Sequence, residues 1–397
     1  MRALMARDAE GGCSPARWRL DSQGGRGRRF SSLGFRSIRR YAARCNRLSS
    51  GRVTVAQHTV VNESRREKER MTEKIGVLVG WEHSFPKAFI ERCNKVPGIH
   101  AELAKLGGTP ERFESPYRVL IDRISHEVKH YRFYLKAAVL GGAFVINDPF
   151  WWSADDKFFG YSLASQLGVA IPRTVMLPQQ DYIPAISKDR SLRNLEYPLN
   201  WEAIVDYVGF PAILKPADGG GWKDVTVVRT PAELLAAYNA SGLNVMTLQE
   251  FIDFDDYIRC ICVGQDRILP IQYNPKEIGP TGLRGRYVGR EEDRWLPQDL
   301  HDRVLNDAIT INKALRYDMN SVEFAVKDGV PYAIDFTNPA PDMHIEHLGE
   351  RYFNIAIDWM VEFAAAAAKE GRRTRDNYAW AKLLNNDLEK VRLGAAT

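Results

Sequence analysis

The hydrophobic positions from Lys74 onward follow the pattern of an α/β protein. Short, continuous apolar runs of the kind found in strands buried on both faces alternate with segments of helical periodicity. The apolar runs predict strands at Ile75–Val79, Arg118–Ile121, Ala143–Ile146 and Val169–Val175. No GxGxxG motif follows the first strand, so a dinucleotide-binding Rossmann domain is not expected despite this order of elements.

From about Leu192 onward, the pattern of hydrophobic and polar positions differs from that of the first half. Helices are predicted near Trp201–Val208, Pro231–Asn239 and Leu300–Leu315, and alternating positions predict antiparallel strands. These strands are expected at Val245–Phe251, Tyr257–Val263 and Arg267–Tyr273, with a hairpin of Ser321–Lys327 and Val330–Phe336 that turns at Asp328-Gly329. Asn274–Arg294 is rich in Gly, Arg and Pro and is predicted to be a mobile loop.

One helix start can be predicted from capping chemistry. Ser153 and Asp156 have the spacing of a capping box, which satisfies free N–H groups at a helix start. In the helix that follows, Phe159, Leu163 and Leu167 recur at i, i+4 and i+8. This spacing predicts that the three side chains stack on one face.

Length and composition exclude several classes of protein. A chain of 397 residues suggests two or three domains, and 45% apolar with 26% charged residues is ordinary for a globular protein. No uncharged apolar run approaches the ~18–20 residues of a transmembrane helix. The five cysteines contain no CxxC pair, which argues against a zinc module and for a reducing compartment. A cytoplasmic location is therefore predicted.

The net charge of +5 is unevenly distributed. Residues 1–70 hold sixteen Arg and one Lys against six acidic residues, a balance of +11, so the rest of the chain carries −6. The body is mildly acidic, and nucleic acid is not expected as a partner. The first 70 residues lack hydrophobic periodicity and are predicted to be a disordered, Arg-rich leader. Three origins stay open: a start placed before the true one at Met71, an organelle transit peptide, or a basic interaction tail.

A lysine followed by glycines is the first candidate for chemistry. Lys215 ends an apolar strand, and Gly219, Gly220 and Gly221 follow within six residues. Glycines let backbone N–H groups approach an anion while the lysine adds positive charge, so the segment suits phosphate binding. It is not the GxxxxGK[ST] P-loop, so a Walker-type NTPase is not implied.

A second candidate segment joins two predicted strands. Gln249 and Glu250 end the first of these strands, and Asp256 begins the next. Such a segment can offer backbone hydrogen bonds to an adenine edge and a carboxylate to ribose hydroxyls. The same residues are also compatible with an ordinary acidic surface turn.

Carboxylates on one predicted hairpin form the third candidate. Glu323 and Asp335 lie on its paired strands, and Asn338 follows the second strand. Hard oxygen ligands that converge from adjacent strands are what Mg²⁺ bound to nucleotide phosphates requires. His344 and His347 have no cysteine or spaced histidine set around them, so a site of softer metal ligands is not predicted; they are candidates for a substrate pocket.

The order of these segments resembles the ATP-grasp superfamily, and within it the ligase branch of glutathione synthetases, D-alanine ligases and ribosomal-protein glutamate ligases. The resemblance covers roughly residues 147–363, and more loosely the part from Lys74. It implies a mixed α/β and α+β fold, in which a Rossmann-like pre-ATP-grasp domain at 71–150 precedes a two-lobed ATP-grasp domain at 151–365. Residues 366–397 would form a C-terminal helical tail.

The resemblance also implies roles for individual residues, by position in the motifs. The phosphate-binding group comprises Lys157, Lys215 and the loop glycines Gly219, Gly220 and Gly221. The adenine and ribose contacts would be Gln249, Glu250, Ile252 and Asp256, and the Mg²⁺ ligands Glu323, Asp335 and Asn338. Arg284, Arg286 and Arg290, in the predicted mobile loop, are candidates to cover the phosphoryl group or an oxyanion.

One metal ligand departs from the usual spacing of the superfamily. The last two ligands are usually arranged as acid-x-Asn, which puts Thr337 at the expected amide position, whereas Asn338 comes one residue later. Either the strand end bulges, so that Asn338 reaches the site, or the third ligand is lost.

The implied reaction is the ATP- and Mg²⁺-dependent joining of a small-molecule carboxylate to an amine or similar nucleophile through an acyl phosphate. Neither nucleic acid nor membrane is expected as a partner, and a homo-oligomer is compatible with the sequence. Two other functions stay open: an ATP-grasp kinase that releases a phosphate ester, and a nucleotide-binding module without turnover.

Removal of residues 1–70 should leave folding and ATP binding unchanged, because this segment lacks the apolar periodicity needed to join a core. A chain that starts at Met71 should unfold in one cooperative transition and bind ATP with the Kd of the full chain in titration calorimetry. Loss of cooperative unfolding in the shorter chain would contradict this expectation. Import of a reporter protein by residues 1–70 would instead identify them as a transit peptide.

Overall fold

The computed structural model describes residues 72–186, 191–218, 223–278, 284–289, 295–378 and 380–381, all of which belong to the unit formed by Val61–Thr397. The predicted leader and most of the predicted C-terminal tail lie outside these ranges. The domain boundaries inferred from the sequence therefore stay a prediction. Within the described ranges, no helix is both long enough and apolar enough to cross a membrane.

The first sheet is parallel and has the strand order β2-β1-β3-β4. Its strands are β1 (Glu73–Leu78), β2 (Ile99–Leu103), β3 (Val119–Asp122) and β4 (Phe144–Ile146), with helix α1 (Ser84–Cys93) after β1 and α2 (Lys129–Leu140) after β3. Three of the four strands were predicted from their apolar runs. The prediction missed β2, because this strand alternates between buried and exposed positions and has no continuous apolar run.

Helix α3 (Lys157–Gln166) follows the first sheet and starts directly after its cap. Asp156 is the capping residue, since its Oδ1 accepts a hydrogen bond from the N–H of Phe159 at 2.7 Å. The hydroxyl of Ser153 donates to the carbonyl of Phe150 instead. The predicted capping box is therefore wrong, although the predicted helix is present.

The buried face of α3 is not the face on which apolar side chains were predicted to stack. Phe159 and Leu167 are 43% and 46% exposed, whereas Gly160 and Tyr161 are buried. A Cβ at Gly160 would lie 3.1 Å from the ring of Phe336, so the glycine allows the helix to approach closely. This approach brings the hydroxyl of Tyr161 into the interior.

The second sheet is antiparallel, in the order β5-β8-β6-β7. It consists of β5 (Thr174–Leu177), β6 (Ala212–Pro216), β7 (Thr226–Val228) and β8 (Met246–Glu250), with helices α4 (Trp201–Val208) and α5 (Pro231–Asn239) contributing to the same core. The strand predicted from Val169 begins only at Thr174. Pro172 lies just before it, and proline has no N–H to donate to a sheet ladder.

The third sheet is also antiparallel, in the order β11-β10-β9-β12-β13. Its strands are β9 (Asp256–Val263), β10 (Arg267–Ile278), β11 (Arg284–Tyr287), β12 (Met319–Lys327) and β13 (Val330–Asp335). Helix α6 (Gln298–Leu315) covers one face, and α7 (Ile345–Glu370), which is interrupted at Gly349, joins a core shared with the first sheet. The predicted hairpin turns as expected at Asp328 and Gly329, both with positive φ.

The loop predicted at Asn274–Arg294 is partly strand. Its first residues extend β10 to Ile278, and its middle contains β11; residues 279–283 and 290–294 lie outside the described ranges. Gly285 has φ +102, and a Cβ there would lie 1.7 Å from the hydroxyl of Tyr273. The glycine thus permits close contact between two strands, which explains why its presence misled the prediction.

A half-buried carboxyl just before β12, Asp318, should make stability depend on pH. Burial raises the pKa of Asp318 to about 6, and the hydrogen bond from Gln265 Nε2 at 2.8 Å offsets this only in part. Because the folded state then retains a proton that the unfolded state has lost, the contribution of Asp318 to the free energy of unfolding should fall as pH rises from about 4 to about 6.

The variant Asp318→Asn keeps an acceptor for Gln265 but does not titrate. Its free energy of unfolding, relative to the parent, should increase by about 2–3 kcal/mol between pH 3.5 and pH 7.5, at about 1.4 kcal/mol per pKa unit. Denaturant unfolding at a series of pH values measures this difference. A difference that is constant across the series would show that Asp318 titrates normally.

Candidate active site

Three charged side chains form a row across the third sheet. Arg259 on β9 is in register with Glu323 on β12, which is in register with Asp335 on β13. Side chains of directly paired residues point to the same face of a sheet, so all three lie together. Arg259 Nε lies 3.4 Å from Glu323 Oε1, and the hydroxyl of Tyr257 donates to Glu323 Oε2 at 2.7 Å.

A β-bulge brings Asp335 into this row. Glu323 pairs with Asp335 while Phe324 pairs with Ala333, so Ile334 is an extra residue at the end of β13. In a regular ladder Asp335 would face the opposite side of the sheet, since a shift of one residue inverts the direction of each side chain. The bulge lies before Asp335, not between Asp335 and Asn338, where the sequence raised that alternative.

Asn338 is joined to the same row through Ser321. Asn338 Nδ2 donates to Ser321 Oγ at 3.0 Å, and Arg259 Nη2 donates to the same oxygen at 3.3 Å. Ser321 precedes Glu323 by two residues on β12, so both side chains are on one face. The methyl group of Thr337 instead packs towards α3 at Gly160. Of the two candidates for the third ligand, Asn338 is therefore the one connected to the row.

Lys157, the first residue of α3, reaches the end of this row. Its Nζ donates to Asp335 Oδ2 at 3.1 Å. Burial alone would raise the pKa of Asp335, but the positive charges of Lys157 and Lys215 outweigh it, and the pKa is lowered. Burial likewise opposes the charged form of Lys157, yet Asp335 raises its pKa overall. Both groups are therefore ionised at neutral pH.

Lys215 approaches from the second sheet. Its Nζ donates to the hydroxyl of Tyr161 and to Gln249 Oε1, both at 2.9 Å. The Tyr161 hydroxyl in turn donates to the carbonyl of Ile334 on β13 at 2.8 Å. Tyr161 thus connects the lysine of the second sheet to the bulge in the third sheet.

The positive charges at this cluster are unevenly paired: Asp342 also acts on Arg259, whereas Lys215 forms no ion pair among the described residues. Lys157, Lys215 and Arg259 face the two carboxylates of Glu323 and Asp335. Burial lowers the pKa of Lys215, and the more distant Asp335 and Glu323 oppose this effect only in part. Its hydrogen-bond partners are neutral, and no carboxylate in the described part of the chain forms an ion pair with it. An anionic group is the natural counter-charge for such a site.

The predicted adenine and ribose residues surround the end of β8. Gln249 lies in the centre of the second sheet, where its Nε2 donates to Thr174 Oγ1 at 2.9 Å, so it positions Lys215 through its Oε1. Glu250 accepts from the guanidinium of Arg173 at 3.1 Å. Ile252 is buried, and Asp256 is half-buried at the start of β9. Contacts of Glu250, Ile252 and Asp256 with a nucleotide stay predictions.

Of the three arginines predicted to cover the phosphoryl group, Arg286 is the one whose side chain the structure describes. Arg286 is exposed and lies 3.4 Å from Glu277, on the opposite side of β11 from Tyr287, whose ring lies below Arg259. Arg284 begins β11, and Arg290 lies outside the described ranges. The same holds for Gly219, Gly220 and Gly221, which were expected to form the phosphate loop.

Arg259 is the charged residue that sequence reasoning did not assign. A signal was present, since Arg259 is the single charged side chain between Tyr257 and Val263 on β9. An arginine at such a position needs a partner inside the protein. Tyr161 carried no comparable signal, because its role depends on contacts between two sheets.

Solved structures with the same architecture belong to ATP-grasp proteins and ligases. A D-alanine–D-alanine ligase from Bacillus anthracis, solved with ATP, is 18% identical with a TM-score of 0.51 over 76% of this chain and 99% of its own. An ATP-grasp RimK-domain protein from Sphaerobacter thermophilus is 16% identical with a TM-score of 0.50, over 74% and 99%. The mixed α/β fold and the resemblance to ATP-grasp ligases predicted from the sequence are confirmed.

Proteins with similar sequences include a ligase of the same kind, but each match covers only part of both chains. A D-alanine–D-alanine ligase of Polynucleobacter asymbioticus is 28% identical over 206 residues, 44% of this chain and 57% of the ligase. A pyruvate carboxylase of Aspergillus niger is 27% identical over 155 residues, 37% of this chain and 13% of the carboxylase. The chain thus spans between an eighth and about three-fifths of these relatives. No family model matches it.

Proposed function

We propose that the protein is an ATP-dependent ligase that joins a small-molecule carboxylate to an amine or similar nucleophile. The observation that carries this proposal is the meeting of Lys157 and Lys215, from two different elements, with the row of Arg259, Glu323 and Asp335. The order and chemistry of these residues match what the resemblance to ATP-grasp ligases implies. The similar ligase from Bacillus anthracis, solved with ATP, supports the same substrate.

The two lysines would hold the phosphates of ATP. Lys215 suits this role because its positive charge is fixed by two neutral hydrogen-bond acceptors, so its direction is set before the anion arrives. Tyr161 acts as a positioning residue, since it bonds both Lys215 and the backbone at the bulge. A preorganised charge of this kind loses little entropy when the nucleotide binds.

The oxygen donors at the hairpin fit Mg²⁺. Glu323 and Asp335 supply adjacent carboxylates, and Asn338 supplies an amide held to the row through Ser321. Lys157 keeps Asp335 ionised, as a metal ligand must be. When bound there, Mg²⁺ would neutralise charge on the transferring phosphoryl group. Tyr257 and Arg259 hold the Glu323 carboxylate in place for this role.

In the proposed reaction, an oxygen of the substrate carboxylate attacks the γ-phosphorus of ATP and ADP leaves, which forms an acyl phosphate. The nucleophile then attacks the acyl carbon, and phosphate departs from a tetrahedral intermediate. Such enzymes contribute mainly positioning and charge neutralisation. Arg259, whose side chain is 12% exposed, is a further cation at the carboxylate row. Arg284, Arg286 and Arg290 remain candidates for covering the phosphoryl group.

A pairwise substrate screen tests the proposal. Amino acids, hydroxy acids and small peptides are supplied two at a time with ATP and Mg²⁺, and free phosphate and product mass are measured. We expect phosphate release that requires both partners and matches a product whose mass is their sum minus water. A phosphate ester as the product would establish the kinase alternative, and ATP binding without any release would favour a module without turnover.

We also propose a cytoplasmic location. Cys93, Cys260 and Cys262 are buried free thiols, which is the state that a reducing compartment maintains.

A further inference from the structure

Two segments far apart in sequence are fixed against each other beside the first sheet. One is the loop of residues 79–83 after β1, and the other leads from the end of β13 into α7. Arg123, directly after β3, donates to Glu82 through Nε at 2.8 Å and Nη2 at 2.7 Å, and to the carbonyl of Pro341 at 2.5 Å. Its side chain is 3% exposed. A buried bidentate pair of this kind specifies one geometry for both segments.

The ring of His344 lies at this junction and forms no hydrogen bond. The residue is 3% exposed, yet neither of its ring nitrogens takes part in a hydrogen bond. Trp81 stacks on its ring at 4.6 Å between centroids, and His83 approaches at 5.3 Å. Buried polar atoms are normally paired, because leaving one unsatisfied costs about 1–3 kcal/mol. An imidazole whose ring nitrogens form no hydrogen bond can coordinate a metal ion through one of them.

We propose that His83, His344 and Glu346 form a binding site for a divalent transition metal such as Zn²⁺. One ligand atom from each residue lies within 4.8 Å of the other two. His83 Nε2 is 3.5 Å and His344 Nδ1 3.8 Å from oxygens of Glu346. Zinc with bonds of ~2.0–2.1 Å separates tetrahedral ligands by about 3.4 Å, so small rotations close the site.

The rotations needed fall on the two surface residues. The side chains of His83 and Glu346 are 71% and 42% exposed, whereas His344 is held by its surroundings. Two imidazoles and one carboxylate leave the fourth position of a tetrahedral zinc open, as in catalytic zinc sites. Imidazole ligands favour zinc and similar metals over Mg²⁺, so this site differs in kind from the carboxylate row.

The neighbouring groups leave these ligands available. Asp342 bonds His347 Nδ1 and accepts from the backbone N–H of His344 at 3.0 Å, so it orders the segment that carries the buried ligand. His347 is thereby committed to Asp342 through one nitrogen. Sequence spacing could not predict the site, because His83 lies on the loop after β1, far from the other two ligands in the chain.

Zinc titration of the full chain tests the proposal independently of ligase activity. The protein is stripped with a chelator and titrated with Zn²⁺ in a calorimeter at pH 7.5, with excess Mg²⁺ added to saturate the proposed site at the carboxylate row. We expect one tight equivalent in the parent and at least tenfold weaker binding in His344→Ala. Cobalt should give a visible absorption band that His344→Ala abolishes.

The control variant is His100→Ala, which removes an exposed histidine 3.3 Å from Glu102 on β2 and should bind zinc as the parent does. If His344→Ala does not fold, the surface variant His83→Gln replaces it, and a tenfold or greater loss is again expected. Zinc affinity unchanged in the folded variant, or no tight equivalent in the parent, would overturn the proposal.

Discussion

Replacement of Asp335 by Asn should leave ATP affinity within a few-fold of the parent and lower phosphate release by orders of magnitude. The variant keeps the shape of the side chain but removes one of the two adjacent carboxylates proposed to bind Mg²⁺. It also releases Lys157 from its ion pair, which keeps positive charge available for the phosphates. An interaction needed mainly in the transition state changes turnover more than binding.

Calorimetry for ATP binding and steady-state phosphate release with the substrates found by the screen measure the two effects. The matched control is Asp307→Asn on α6, which removes a carboxylate 3.7 Å from Arg303 and should change neither quantity. Turnover of Asp335→Asn equal to that of the parent would mean that the hairpin carboxylates are structural. Excess Mg²⁺ should not restore the variant, because the geometry of the site is lost as well as its affinity.

The third ligand can be tested in the same assay. Asn338→Ala should reduce phosphate release strongly, because its amide is the one linked to Ser321 and the row. Thr337→Ala should have a small effect, since the threonine methyl packs towards Gly160. The reverse ranking of the two variants would move the metal contact to Thr337.

Replacement of Lys215 by Met should weaken ATP binding roughly ten- to hundredfold. The loss of a hydrogen bond to a charged group costs ~1.5–3 kcal/mol, which corresponds to that range of affinity. The methionine retains most of the apolar stem, so the change tests charge more than volume. Lys157→Met should also weaken ATP binding, but by less than Lys215→Met, because Asp335 already neutralises part of the charge of Lys157.

The Lys215 variant should also be less stable, which must be separated from binding. Without the lysine, Gln249 Oε1 loses its donor inside the second sheet, at a cost of about 1–3 kcal/mol. Kd is therefore measured at a temperature where circular dichroism shows the variant to be folded. Lys136→Met, which removes an ammonium group 5.2 Å above the ring of Phe150, serves as the control. Unchanged ATP affinity in folded Lys215→Met would refute the nucleotide site.

The sequence predicted most elements because their signals are local. Continuous apolar runs identified β1, β3 and β4, and Asp328-Gly329 marked the hairpin turn. The failures also have local causes. β2 alternates like a half-exposed strand, Pro172 delays β5, and Gly285 is a contact point between strands although it resembles a loop residue.

The site was predictable only where residue type and order carry the information. The order of lysines and carboxylates along the chain suggested a phosphate and metal site. The structure brings Lys157, Lys215, Glu323 and Asp335 together, and their roles stay predictions. The bulge at Ile334 has no signature in the sequence, yet it decides which way Asp335 points. Tyr161 and His83 depend on contacts across sheets and loops, which no spacing along the chain encodes.

The central claim is that ATP activates a carboxylate as an acyl phosphate, and oxygen isotope transfer tests it most directly. The carboxylate identified by the screen is labelled with ¹⁸O and incubated with the protein, ATP, Mg²⁺ and the nucleophile. The attacking carboxylate oxygen becomes the bridge to phosphorus and leaves with it, so each released phosphate should carry one ¹⁸O. Released phosphate without the label would contradict the account, because the γ-phosphoryl group would then have passed to water.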